Sequence, residues 1–253
     1  MKKILLVVCC AAALVSSVVR ADALTAGQIA DRNVAARGGL EAWRGVTSLT
    51  LSGQMEAGGK QDAKLPYVLT MKRPHRSRLE LRFQNQTAVQ VFDGVQGWKW
   101  RPFLGRDEVE DFTPAEIKSA AAASDLDGPL VDYAQKGTRL ELKGIERVEG
   151  KDAYKIRMTR KDGTVRHVWI DARTFLDVKI EGDPRRLDGR RHDVAVYSRD
   201  FRNEGRLMVP HLLETMVEGV NQSHRLTIEK VAVNPKVDDT LFGKSSVNVA
   251  SAR

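Results

Sequence analysis

Five histidines, His75, His167, His192, His211 and His224, are the first residues that could bind a metal or move a proton. None stands four residues from another, so no helix could present two of them as zinc ligands on one face. A G-x-S-x-G turn for a serine nucleophile and a glycine-rich phosphate loop are both missing from the chain. Acidic side chains cluster at Glu108, Glu110 and Asp111 and again at Asp238 and Asp239. Two carboxylates brought together by folding could cleave a glycoside. The first cluster, however, leads into a helix start, where acids also serve the helix dipole. No catalytic residue, metal site or cofactor is assigned from these groups, and the expectation is a protein that is not an enzyme.

Cysteine chemistry is excluded from the processed chain. Cys9 and Cys10 are the only cysteines. They lie in an apolar stretch that follows Lys2 and Lys3 and ends at Ala21-Asp22-Ala23, the small-x-small form of a signal peptidase site. Residues 1–23 are therefore expected to be a cleaved signal peptide and 24–253 a single domain exported to the periplasm. The stretch is too short and too interrupted, by Ser16, Ser17 and Arg20, for a membrane-spanning helix. Cleavage lowers the formal net charge from +8 to +6 by removing three basic residues and one acidic residue. That charge is basic but mixed, and no nucleic-acid-binding motif accompanies it.

The remaining conspicuous side chains could bind rather than react. Trp98 and Trp100 flank Lys99 and must share one side of a strand. They either fill core volume or present indoles to a ligand. Met55, Met71, Met158, Met208 and Met216 are soft surface suited to variable ligands, or ordinary core. Arg185, Arg186, Arg190 and Arg191 crowd one loop around Leu187, Asp188 and Gly189. They form either a solvated turn or a patch drawn to anionic headgroups at about 1 kcal/mol per basic residue.

Strands must carry most of these residues. Arg78 to Phe83 alternates so that Leu79, Leu81 and Phe83 face one way and their charges the other. Val89 and Val91, Ile156 and Met158, and Val165, His167 and Trp169 repeat the pattern. Strands are predicted at 48–55, 66–72, 78–83, 87–93, 97–101, 138–145, 153–160, 164–170, 176–181, 192–201, 206–210, 212–218 and 223–233. Asp93-Gly94 and Asp162-Gly163 are turns. Helices are few. One follows a cap at Thr25 and ends at Gly38-Gly39, and another runs from Pro114 to about Leu126 behind a Thr113/Glu116 capping box. Its alanines 120–123 reflect either helix propensity or a lid that detaches cheaply. The fold class is mainly β with a few helices (α+β), a curved antiparallel sheet forming a barrel-like shell.

Several short motifs carry a family likeness. Ala36-Arg37-Gly38-Gly39 with Trp43, the run Val91 to Trp98, Gly205 to Pro210, and Asn234 to Phe242 together resemble the LolA-like superfamily of outer-membrane lipoprotein-sorting proteins across nearly the whole mature chain. The resemblance implies a half-open β-barrel capped by helices that binds lipid or lipoprotein acyl chains. It also implies an inner-membrane donor complex, an outer-membrane acceptor, transient contact with a membrane surface and a monomer. Arg78 and Arg82 are the candidates by location for the chaperone's lid-locking arginine. The expected apolar cavity is lined by Leu69, Met71, Leu79, Leu81, Phe83, Val91, Trp98, Trp100, Met158 and Trp169, under the Pro114 to Leu126 helix as lid. A non-catalytic interaction or lipid-sensing module and an unrecognised envelope hydrolase remain the alternatives.

Overall fold

The computed structural model describes residues 24–56, 63–221 and 223–251. The expected signal peptide lies outside the described residues, and among those described no helix is long and apolar enough to cross a membrane. The chain starts with α1 (Ala26–Ala36) and α2 (Leu40–Arg44). Five strands follow: β1 (Ser48–Glu56), β2 (Lys64–Lys72), β3 (Arg76–Phe83), β4 (Gln86–Phe92) and β5 (Gly97–Arg101). A 3-10 turn, Pro102–Leu104, leads to β6 (Arg106–Asp111) and then α3 (Pro114–Ala123). After an irregular segment come β7 (Arg139–Val148), β8 (Lys151–Thr159), β9 (Val165–Asp171) and β10 (Asp177–Glu181). The short strands β11 (Arg185–Leu187) and β12 (Arg190–His192) precede β13 (Val194–Glu204), β14 (Leu207–Val217) and β15 (His224–Val233). A second 3-10 turn, Asp239–Phe242, and α4 (Lys244–Ser251) close the chain.

Thirteen strands form one antiparallel sheet in the order β6-β5-β4-β3-β2-β1-β15-β14-β13-β10-β9-β8-β7. Strands adjacent in the sheet are consecutive in sequence except where β1 meets β15 and β10 meets β13. The sheet curves without closing, which leaves β6 and β7 as its two edges. This is the half-open, helix-capped antiparallel architecture expected from the sequence. Three details differ. Residues 106–111 pair as an edge strand rather than a loop, 207–217 is one strand rather than two, and the arginine-rich loop is itself a hairpin.

The pairing register assigns each side chain to a face. Leu81 lies opposite Tyr67 and Ala88, and Leu79 lies opposite Leu69 and Gln90. On the far side of β1, Met55 lies opposite Leu226, which lies opposite Leu213. This inner face is covered by α1, α2 and the segment after α3. Val34, Trp43, Leu126 and Val131 pack on Leu49, Leu51, Tyr67 and Met71. Ile29, Ala30 and Leu130 pack on Ile156, Met158, Val168 and Ile170. Helix α1 begins with a reciprocal Thr25/Gln28 capping box. Gly38 at its end approaches the β13–β14 turn so closely that a Cβ would sit 2.2 Å from the Arg206 carbonyl oxygen. Gly53 does the same at the β1–β15 bulge, where a Cβ would meet the Thr227 oxygen at 1.9 Å.

The outer face is covered in two ways. Over β3 to β6, the C-terminal tail lays Phe242 and Val247 on Val89, Val91 and Trp98. The tail is tied down by Lys72 Nζ to the Val237 carbonyl (2.7 Å), by Arg78 Nη1 to Ser246 Oγ (2.9 Å) and by Lys244 to Asp111 (3.0 Å). Over β8, β9, β10 and β13 no such helix lies among the described residues, and cationic side chains do the covering. Lys179 Nζ stands 4.0 Å from the centre of the Trp169 ring, and Lys155 stands 5.1 Å from it. Arg199 lies over Tyr197.

Candidate functional site

The ten residues expected to line one cavity divide between the two faces. Leu69, Met71, Leu79, Leu81, Phe83 and Met158 are on the inner face. Val91, Trp98 and Trp100 are not. They point outward, where Val91 and Trp98 are buried under the tail, and the Trp100 indole N–H donates to the Asp107 carbonyl oxygen. Trp169 is also outward, packed on Val148, Ala153 and Tyr197, with its indole N–H on Glu146. The reason is that β4 is apolar on both sides. Ala88 and Phe92 face in and Val89 and Val91 face out, and all four are buried. Arg78 and Arg82 belong to the outer side of β3, and neither touches α3. Arg78 instead holds the tail and Glu80.

The inner face is only partly covered. Met55, Leu69, Leu79, Leu81 and Leu226 are half-buried at its centre, although the residues around them are fully packed. Leu213, Val196 and Ile180 continue the half-buried apolar strip across β14, β13 and β10. At the rim Phe83 makes an edge-to-face contact with Phe103. A separate pocket of about 390 Å³, lined by no residue of this strip, lies between Ala121 and Ala122 of α3 and Met158, Lys136 and Arg160.

The inner side of the sheet is met by two kinds of cover. The first is pinned by buried polar contacts. In the segment after α3, Asp127 is buried and its carboxylate accepts from the Arg73 guanidinium, while its carbonyl accepts from Arg37 Nη1 at 2.9 Å. Arg37 stacks on Trp43 at 4.4 Å, and the Trp43 indole N–H returns to the Arg37 carbonyl. Leu126, expected in the lid, belongs to this fixed cap.

Helix α3 is the second kind. It has a Thr113/Glu116 capping box but not one fully buried residue, and its apolar side chains Ile117, Ala120 and Ala122 are only half-buried. Polar contacts hold it as well. Lys99 Nζ, buried on the inner side of β5, meets Glu116 at 2.5 and 2.7 Å, and Ser119 Oγ donates to Asp183 at 3.0 Å. Arg166 Nη2 meets the other Asp183 oxygen at 2.6 Å, and Lys118 stands 3.4 Å from Asp162. Helix α3 thus bridges from β5 to the loop after β10. Sequence alternation contained a sign of Lys99, whose neighbours Trp98 and Trp100 must point the other way. Nothing in the sequence marked Asp183.

The hydrogen bond from Arg166 holds the Asp183 carboxyl below the usual aspartate range; burial opposes this and the Ser119 bond adds to it. A carboxyl that is more acidic when docked binds fewer protons in that state. Only the Ser119 bond is lost when α3 undocks, since Arg166 stays on β9, so the contact is intact above the ordinary aspartate value of about 3.9 and weakens modestly as pH falls through the depressed value. Amide exchange in 114–123 is expected to quicken over that range before exchange in β1 and β2 does. Asp183→Asn should show the quickened exchange at neutral pH. Equal protection of α3 and the sheet at every pH would contradict this.

The acidic clusters are occupied structurally. Glu110 pairs with Arg101 and Arg106, Asp111 with Lys244, and Asp239 with Lys72 and Arg76, while Asp238 caps the last 3-10 turn. His211 is buried with Nδ1 on the Ile228 carbonyl and Nε2 2.9 Å from Glu204. Among the described residues no three His, Cys, Asp or Glu side chains converge as a metal site.

No protein-family model matches the chain, and no curated protein matches it either. Solved structures do. A LolA superfamily protein from Nitrosomonas europaea superimposes with a TM-score of 0.57 at 14% identity, over 88% of this chain and 100% of that one. A domain described as an outer membrane lipoprotein-sorting protein, from Vibrio parahaemolyticus, gives 0.58 at 12% identity over 88% and 97%. A DUF1329 family protein from Desulfovibrio piger gives 0.60 at 11% over 88% and 98%. At these identities the likeness is one of fold.

Proposed function

On the premise that the chain has a LolA-like fold, we propose that it is a periplasmic carrier. It shields the acyl chains of a lipid or lipoprotein on the inner face of the half-barrel and passes them towards the outer membrane. The observation that carries this reading is the half-buried strip of Met55, Leu69, Leu79, Leu81 and Leu226 on the inner face, on the side of the sheet from which Lys99 reaches α3, a helix with no fully buried residue. An apolar surface left half-covered, on a sheet to which a neighbouring helix is docked by polar contacts and shallow apolar burial, suits a removable occupant. An acyl chain of about 14 methylenes loses on the order of 10 kcal/mol in water, at roughly 0.8 kcal/mol per CH₂, so crossing an aqueous space requires such shielding. The lipoprotein-sorting description of the Vibrio neighbour supports the same class of cargo.

In this reading residues 1–23 are a cleaved signal peptide and 24–253 one monomeric domain. Leu69, Leu79, Leu81 and Phe83 contact cargo while Met71 and Met158, buried under the packed helices, support them; α3 is the lid, and an inner-membrane donor and an outer-membrane acceptor stand at either end of the route. Catalysis has no part in it. Native mass spectrometry of the protein, purified from its own envelope without detergent and then extracted with organic solvent, tests the proposal. Near one-to-one lipid is the expected result. A clean apo mass that also fails to take up lipid from vesicles would sink it in favour of an interaction module.

A further inference from the structure

The arginine-rich hairpin has no role in the fold described above. β11 and β12 pair only with each other, outside the large sheet, through a turn in which Asp188 (φ 50°) and Gly189 (φ 73°) are both left-handed. Two consecutive left-handed residues make the tight turn that matches strand twist, so the hairpin is a built projection. Its register sets Arg186 directly opposite Arg191, and Arg190 opposite Leu187. Like charges in such a pair repel. No carboxylate among the described residues forms an ion pair with Arg185, Arg186, Arg190 or Arg191, all of which are exposed. Leu187 is 37% exposed between them. A projection with four exposed arginines against the single carboxylate of Asp188, and an apolar side chain beside its turn, is complementary to a surface that is anionic outside and apolar beneath.

Its position narrows the choice of surface. Asp183, two residues before β11, is the same residue that holds Ser119 of the lid, and His192 Nδ1 binds the Glu218 carbonyl in the β14–β15 turn. The hairpin therefore stands at the end of the half-barrel where α3 is fastened. We infer that it docks the mouth of the cavity onto a bilayer rich in anionic phospholipid. The preference for a bilayer over an acidic protein rests on the carrier reading, because an acyl chain must enter or leave without crossing open water. The chemistry recognised is a field of headgroup phosphates, with Leu187 reaching the level of the acyl carbons.

Sedimentation of the purified protein with vesicles tests this. With phosphatidylcholine containing about one-third phosphatidylglycerol, binding is expected and should weaken as salt rises. Phosphatidylcholine alone should bind at least tenfold less. Each arginine contributes about fivefold, so Arg186→Gln/Arg191→Gln should lose more than tenfold on anionic vesicles. Because the hairpin lies outside the sheet, the variant should keep the wild-type melting curve. If that pair unfolds the protein, Arg190→Gln alone should still lose about fivefold. No binding to anionic vesicles would overturn the inference and leave an acidic protein as the partner. Equal binding to both vesicle types, or undiminished binding by the folded variants, would also overturn it. Uptake of a fluorescent fatty acid from solution is measured separately. Its failure would count against the carrier reading alone, and the docking result would stand.

Discussion

Leu81→Asp is expected to abolish lipid retention while the protein stays folded. Leu81 is half-buried on the inner face of β3, at the centre of the uncovered strip. An aspartate there remains solvated in the empty protein, but it would be stripped of water by a bound acyl chain with no cation beside it. Burying an unpaired charge costs at least several kcal/mol. The affinity loss should therefore exceed about a hundredfold, which corresponds to roughly 3 kcal/mol. Arg82→Asp, one residue along, is the control. That side chain points outward into solvent, so retention should be unchanged. Equal retention in the two variants, measured by lipid extraction from matched amounts of folded protein, would remove the inner face from the proposal.

The second large effect is on stability. Phe242 is 1% exposed and is the principal side chain through which the C-terminal tail covers Val89, Val91 and Trp98. Phe242→Ala removes a fully buried ring from a site pinned by Arg78, Lys72 and Lys244 and unable to collapse around the loss. A cost of about 3–5 kcal/mol is expected. Denaturant titration should show a lowered midpoint with little change in slope. Lipid retention under conditions where the variant is folded should match wild type, because the tail lies on the opposite side of the sheet from the strip. A variant of unchanged stability that had lost its lipid would mean the faces are assigned the wrong way round.

The contrast between Leu81 and Trp98 shows what the sequence could disclose. Alternation placed Leu79, Leu81 and Phe83 together, and this held because every intervening residue in β3 is charged. It also placed Trp98 with Trp100 and with neither neighbour, correctly. What alternation cannot supply is the relation between strands. Gln86 pairs with Phe83, and this pairing sets Ala88 rather than Val89 beside Leu81. In a strand as apolar as Thr87-Ala88-Val89-Gln90-Val91-Phe92, either register looks acceptable until its partners are known. The tail that buries the outer side lies some 150 residues further along, and only the folded chain brings Phe242 back to Trp98. The cap at Thr25 and the capping box at Thr113 were legible because such signals are local, within three residues. The lid contacts of Lys99 and Asp183 were not, since each joins elements far apart in sequence.

A sheet that curves without closing keeps two raw edges, either of which could pair with a second copy. β6 opposes this with Asp107, Glu108, Glu110 and Asp111 packed into six residues. β7 carries Glu141, Lys143, Glu146 and Arg147, and its pairing with β8 is interrupted by a bulge at Gly144. Charge and irregularity on an edge discourage strand addition and the aggregation that follows from it. The acids that first suggested a glycosidase thus have a different use. They are the toll of leaving a barrel open, and neutralising them should make the protein precipitate before it made it inactive.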